Sequence, residues 1–172
     1  MGRHAGWIAL HGGIAGGADI ILIPEIPFDY GKIAREAANY LGTVVVVAEG
    51  ARPKHGEQVK RDVEGGEFRL GGIGEIVARE IAKQTGKETR CCVLGHLQRG
   101  GAPTTLDRIL ATRFGVKAVQ LANEGHFGSM VSYQNYQVRH VSIAEAVNRL
   151  KLVPPNGELV QTARDVDISF GD

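Results

Sequence analysis

The stretch Thr43-Val-Val-Val-Val-Ala-Glu-Gly50 decides the fold. Four consecutive β-branched residues favour an extended chain, and such a run needs cover on both faces, as in a parallel sheet. Working backwards, Ala18-Asp-Ile-Ile-Leu-Ile-Pro-Glu25 is a second apolar run, closed by a proline and an acid, and reads as a buried strand. Between the two, residues 29–41 carry Ile33, Ala37 and Leu41 at four-residue spacing, a helix with Asp29 as its cap. Residues 4–17 read as a helix weakened by its glycines.

Working forwards, the polar interval 51–70, with Lys54, His55 and Lys60-Arg61, reads as a surface loop or a partly ordered lid. Helical periodicity returns over residues 73–84 through Ile73, Val77 and Ile81, with Gly86 as the stop. Residues 88–96 read as another strand, running into the Gly100-Gly101 turn. Thr104 with Asp107 is a capping pattern for a helix carrying Ile109, Leu110 and Phe114. Two short strands at 129–133 and 136–141 and a brief helix at 142–150 precede Pro154-Pro155. Alternation of strand and helix through residue 122 implies an α/β fold of three layers, a mostly parallel sheet flanked by helices. The expected division is a domain over residues 1–150 and a polar tail over residues 151–172 lying back over a neighbouring domain.

Composition narrows the function classes. The 172 residues carry a formal net charge of +1, which argues against nucleic acid or a polybasic membrane surface as partner. No apolar run approaches the ~20 residues that span a bilayer, and no secretory signal opens the chain, so a cytoplasmic protein is expected. Paired glycines at 12–13, 16–17, 65–66, 71–72 and 100–101 fit tight turns and close backbone approaches. Cys91 and Cys92 are neighbours, poorly placed to chelate one metal together from a strand, and read as small buried side chains in a reducing compartment.

In an open α/β sheet, ligands collect where strands pass into helices. Glu49 ends the valine strand, His96 ends the strand begun near Arg90, Arg99 lies in the following turn, and Met1-Gly2-Arg3 precedes a helix. Arg99 offers two parallel donors to a phosphate and His96 a third, with the start of the Thr104 helix adding its positive end. Glu49 is an acceptor suited to vicinal sugar hydroxyls, and Arg3 a fixed charge suited to a transferring phosphoryl group. The alternatives are ordinary: surface ion pairs for Arg3, Arg90 and Arg99, a turn histidine at 96, an unremarkable acid at 49. Arg90 begins its strand, far from His96, and serves that site only if another subunit brings it back. His4, His11, His55, His126 and His140 show no ligand spacing, and Trp7 reads as core or as a lid. No P-loop, dinucleotide-binding turn or clear Asp pair for Mg²⁺ is present. The chain begins at the edge of this site, so half an enzyme is expected around it.

These motifs resemble the C-terminal half of 6-phosphofructokinases over essentially residues 1–150. The resemblance rests on Arg90, Gly95-His96, Gln98-Arg99-Gly100-Gly101 and Asp107-Arg108, with the opening Met1-Gly2-Arg3 and the Ala48-Glu49-Gly50 after a valine strand in the same order. It implies phosphoryl transfer to the 1-hydroxyl of fructose 6-phosphate, from ATP or pyrophosphate with Mg²⁺. It further implies that His96 and Arg99 hold the 6-phosphate, with Arg90 reaching it in an adjacent subunit of a homo-oligomer, usually a homotetramer. Met1, Gly2 and Glu49 would contact the sugar, and Arg3 would lie near the transferring phosphoryl group. The donor loop, the metal acid and the catalytic Asp belong to the family's first half. A regulatory acid falls near Asp19, but residues 36–43 lack the accompanying basic cluster, which implies a less regulated branch. The alternative is a non-catalytic phosphosugar-binding or interaction module derived from the same fold.

Overall fold

A computed structural model describes residues 1–63 and 67–172. It divides into two compact units, residues 1–95 with 151–172 and residues 96–150. Unit 1 opens with α1 (Trp7–Ala15), β1 (Ile20–Leu22), α2 (Tyr30–Ala38) and β2 (Val45–Val47), followed by β3 (Lys60–Val63), β4 (Glu67–Leu70) and α3 (Ile73–Thr85). The α/β class is therefore as the alternation implied. β1 and β2 pair in parallel, Ile20 opposite Val45 through Leu22 opposite Val47. The expected mostly parallel sheet is otherwise replaced by hairpins: β3 and β4 pair antiparallel within the interval read as a loop or lid. The glycine pair at 65–66 falls outside the described residues.

Physical reasons for each element are local. Asp29 caps α2 by accepting the Lys32 N–H at 2.7 Å, and Lys87 Nζ donates to the carbonyls of Ala37, Ala38 and Tyr40 at its far end. Gly86 stops α3 in the left-handed region at φ 69°. Ile33 and Ala37 of α2 and Val77 and Ile81 of α3 share one hydrophobic cluster with Ile20 and Leu22. Ile21 and Ile23 point the other way, into a second cluster with Leu10 of α1. The strand's period of two thus divides one buried run between two cores. Full burial of each of these large side chains contributes about 2 kcal/mol.

The segment read as a tail is instead part of unit 1. It forms α6 (Glu158–Asp165), and Val153, Val160, Ala163, Ile168 and Phe170 are buried in the second cluster. Ser169 bridges β1 in parallel, with Ile21 N–H donating to its carbonyl at 2.8 Å. The apolar residues at 160, 163, 168 and 170 were masked in the sequence by intervening charges.

Unit 2 holds α4 (Thr105–Asn123), the antiparallel hairpin β5 (Ser129–Gln134) and β6 (Gln137–Ser142), and α5 (Ile143–Asn148). Thr104 and Asp107 form the expected capping box. The strand expected over residues 88–96 is absent: the chain there runs without a ladder partner into a single 3₁₀ turn, Gly95–Arg99. An apolar run becomes a strand only where a neighbouring strand accepts its backbone hydrogen bonds. Among the described residues no helix is long and apolar enough to cross a membrane.

The end of unit 1 is held by charge. Arg164 donates from Nη1 and Nη2 to the two Asp172 carboxylate oxygens at 3.0 and 2.7 Å, and its guanidinium lies 4.9 Å from the Phe170 ring centre. Lys32 Nζ donates to the Asp172 carbonyl. The Arg164 hydrogen bonds hold the Asp172 carboxyl below the usual carboxylate range. Its contribution is then complete above the unfolded Asp value of about 3.9 and is lost as pH falls through the lower folded value. Asp172→Asn should cost about 0.5–1 kcal/mol at pH 7, discounted for partial solvent exposure. Thermal melts should show that gap closing below about pH 4; a gap of equal size at pH 3 would exclude this pairing as its source.

Candidate active site

The segment before α1 runs beside the end of β2. Glu49 N–H donates to the Met1 carbonyl at 2.9 Å and Gly50 N–H to the Gly2 carbonyl at 3.0 Å. Glu49 therefore stands between the opening residues, its Oε1 3.5 Å from Arg3 Nε and its Oε2 3.4 Å from the Met1 amino nitrogen. The Arg3 side chain is 55% exposed and that of Glu49 22%, so a fixed cation faces solvent above a half-buried acceptor. Such a pair can accept sugar hydroxyls through Glu49 and stabilise phosphoryl charge through Arg3.

Two glycines make this approach possible. Gly2 sits at φ +83°, with the Ala48 Cβ 3.1 Å from where its own Cβ would stand. At Gly50 a Cβ would lie 2.0 Å from the Arg3 carbonyl oxygen. Gln58 Nε2 donates to the carbonyls of Gly50 and Arg3 at 2.8 and 3.2 Å. On the other side, both Glu25 oxygens accept the Gly6 N–H at 3.0 and 3.1 Å, and Glu25 Oε1 also accepts the Val153 N–H at 2.9 Å. Sequence reading missed Glu25 and Gln58. Glu25 had a signal, since it follows an apolar strand as Glu49 does; Gln58 had none in a polar interval.

The structure thus brings Met1, Gly2, Arg3 and Glu49 together. Arg90, also in unit 1, is exposed and donates from Nε and Nη2 to Glu88 Oε1 at 3.0 and 2.8 Å. An exposed pair of this kind is worth little and is readily exchanged for another anion. His96 and Arg99 lie in unit 2, on the 3₁₀ turn and not at a strand end. Spacing of three on such a turn stacks their side chains on one side, which suits two donors to one phosphate. The start of α4 is less open to an anion than expected. Thr104 N–H and Oγ1 donate to Asp107 Oδ2 at 2.8 and 2.7 Å, which holds the Asp107 carboxyl low and already charged.

Several other sequence candidates have settled roles. Asp19, placed near a regulatory position, accepts the Val44 N–H at 2.7 Å and so anchors the entry to β2. Trp7 Nε1 donates to the Lys151 carbonyl at 2.7 Å while its ring packs against the second cluster. Cys91 and Cys92 are exposed, not buried as expected, because no strand covers their segment. Partial burial, then Glu75 and Cys92, push the Cys91 thiol up, away from a reactive thiolate. His126 and His140 stack with ring centres 5.5 Å apart, and His11 Nδ1 lies 2.8 Å from the Trp7 carbonyl. Among the described residues no three His, Cys, Asp or Glu side chains group to hold a metal.

Gly50→Ala should therefore force the two site segments apart and cost about 1–3 kcal/mol. For a chain of this size that lowers the melting temperature by roughly 2–12 °C. An unchanged midpoint would show that the close approach of Gly50 to Arg3 does not exist in solution.

The chain is 49% identical over 177 residues to the ATP-dependent 6-phosphofructokinase of Chloroflexus aurantiacus, covering all of this chain and 49% of that protein. It is 51% identical over 178 residues to the pyrophosphate--fructose 6-phosphate 1-phosphotransferase of Amycolatopsis methanolica, covering 99% and 51% respectively. The chain thus spans about half the length of the curated relatives it matches. Among solved structures, the pyrophosphate-dependent phosphofructokinase of Marinobacter aquaeolei superposes with a TM-score of 0.73 at 26% identity, over 98% of this chain and 46% of that one. The phosphofructokinase of Pichia pastoris in the T-state gives 0.67 at 31%, over 97% and 17%. The sequence pattern described as Phosphofructokinase matches residues 1–122, and the chain belongs to that family.

Proposed function

We propose that this chain is the sugar-phosphate-binding, C-terminal portion of a cytoplasmic 6-phosphofructokinase, which moves a phosphoryl group from ATP or pyrophosphate to the 1-hydroxyl of fructose 6-phosphate. The observation that carries this is the pairing of Met1-Gly2-Arg3 with Glu49-Gly50, which sets a cation beside a sugar-hydroxyl acceptor. Relatives bearing both donor names match at similar identity, so either donor is compatible with this portion.

In this reading Glu49, Met1 and Gly2 orient the sugar. Arg3, permanently charged, offsets the negative charge of the phosphoryl group as it moves. His96 and Arg99 clamp the 6-phosphate, and Arg90 exchanges Glu88 for the 6-phosphate bound by a neighbouring copy in a homo-oligomer with shared sites. Among the described residues no three His, Cys, Asp or Glu side chains group to hold Mg²⁺ by themselves. The metal, the donor and the base for the acceptor hydroxyl are assigned to the other half of the family's length.

Unit 2 supports the need for that half. Leu106, Ile109, Val116 and Val119 of α4 and Phe127 and Val147 are all more than half exposed, while Leu121 is the unit's one buried hydrophobic among the described residues. A surface this apolar is characteristic of a covered interface. A non-catalytic phosphosugar-binding module is the second reading, favoured by one observation: unit 1 closes two hydrophobic clusters from its own residues.

A coupled assay with fructose 6-phosphate and Mg²⁺, run with ATP and with pyrophosphate, tests the proposal on the chain alone and with the donor half supplied. Turnover is expected only with both halves present, and its donor dependence assigns the donor. Absence of turnover in the assembled protein, with sugar phosphate still bound, would favour the non-catalytic module. Arg99→Ala in the assembled protein should cost roughly 2–4 kcal/mol in sugar binding, a rise of about 30- to 1000-fold in KM for the sugar. The donor KM should stay unchanged; an unchanged sugar KM would remove Arg99 from the site.

A further inference from the structure

The geometry points to Gln58 as a positioning residue that holds Arg3 in place for phosphoryl transfer. Its half-buried amide lies where the two site segments meet, with Nε2 2.8 Å from the Gly50 carbonyl and 3.2 Å from the Arg3 carbonyl. One –NH₂ group supplies the two donors that two converging carbonyls require. Gly50 approaches Arg3 so closely that a Cβ there would stand 2.0 Å from the Arg3 oxygen, so these carbonyls are brought together by the fold itself. Without that donor the Arg3 carbonyl, which is exposed, would turn to solvent and the tie between the two segments would be lost.

Arg3 Nε also lies 3.5 Å from Glu49 Oε1, but the other main-chain ties described for this segment lie before and after Arg3. Met1 and Gly2 are held through their carbonyls by Glu49 and Gly50, and Gly6 is held through its N–H by Glu25. The Arg3 main chain is gripped by Gln58, which comes from the interval between β2 and β3. A shift of the Arg3 main chain carries the guanidinium with it, and a displacement of about 1 Å at such a group can cost 100-fold in rate. Gln58 touches the backbone and not the reacting atoms, so it acts through Arg3.

This inference rests on the proposed role of Arg3, and the experiment separates the two. In the assembled protein, Gln58→Met removes both donors at constant side-chain length, and Gln58→Glu replaces them with acceptors. Either change is expected to lower kcat by about 10- to 100-fold, with the sugar KM changed less than about 3-fold and the melting temperature retained. On an Arg3→Ala background the Gln58→Met change should have little further effect on kcat, because the group it positions is gone. An unchanged kcat in both Gln58 variants, or full additivity with Arg3→Ala, would overturn the inference while leaving the proposed function standing. A fall in kcat that tracks a fall in melting temperature in both variants would also overturn it, in favour of a purely structural role. A silent Arg3→Ala would overturn the assigned role of Arg3, and this inference with it.

Discussion

Strand β1 cannot leave either face in water, and the rest of unit 1 is arranged around that constraint. Ile20 and Leu22 belong to one cluster and Ile21 and Ile23 to the other, all at 0–1% exposure. One face is covered by α2 and α3, the other by α1 and the returning segment at 153–170. Its edges are also filled, by β2 on one side and by Ser169 on the other. The burial of four large aliphatic side chains therefore depends on residues nearly the whole length of the sequence away.

The candidate site inherits its geometry from this arrangement. β2 runs parallel to β1, so its C-terminal end delivers Glu49 to the same edge of the unit from which β1 delivers Glu25. These two carboxylates have different work. Glu25 takes N–H groups from Gly6 and Val153, binding the chain before α1 to the chain before α6. Glu49 is left to face Arg3 and the Met1 amino group. A carboxylate that satisfies backbone donors is part of the frame; one that faces a solvent-exposed guanidinium can exchange it for a ligand.

Much of this was legible in residue order. Periodicity located α2 and α3, Asp29 and the Thr104/Asp107 pair marked two helix starts, and the valine run marked a strand whose trailing Glu49 meets Arg3. The family motif put His96 and Arg99 together, and both fall on one 3₁₀ turn. Where reading failed, the missing information was non-local. Residues 88–96 have a strand's composition but no ladder partner. The 151–172 segment has a tail's polarity, yet Val153, Val160, Ala163, Ile168 and Phe170 enter a core shared with other segments.

What the sequence determined by itself was the valine strand, the starts of α2 and α4, the buried faces of α2 and α3, and the charged and polar groups carried by the opening triplet, Glu49, His96 and Arg99. Backbone propensity, capping and side-chain charge are properties of neighbours in the chain, and so they are visible there. Tertiary structure alone decided that Glu25 would bind Gly6 and Val153, that Asp19 would serve the start of β2, and that Gln58 would bridge Arg3 and Gly50. Those bonds join groups 19 to 128 residues apart or unite two segments through a third. Their partners are chosen by which backbone groups the packed core leaves without a hydrogen bond, and that is known only once the core has closed.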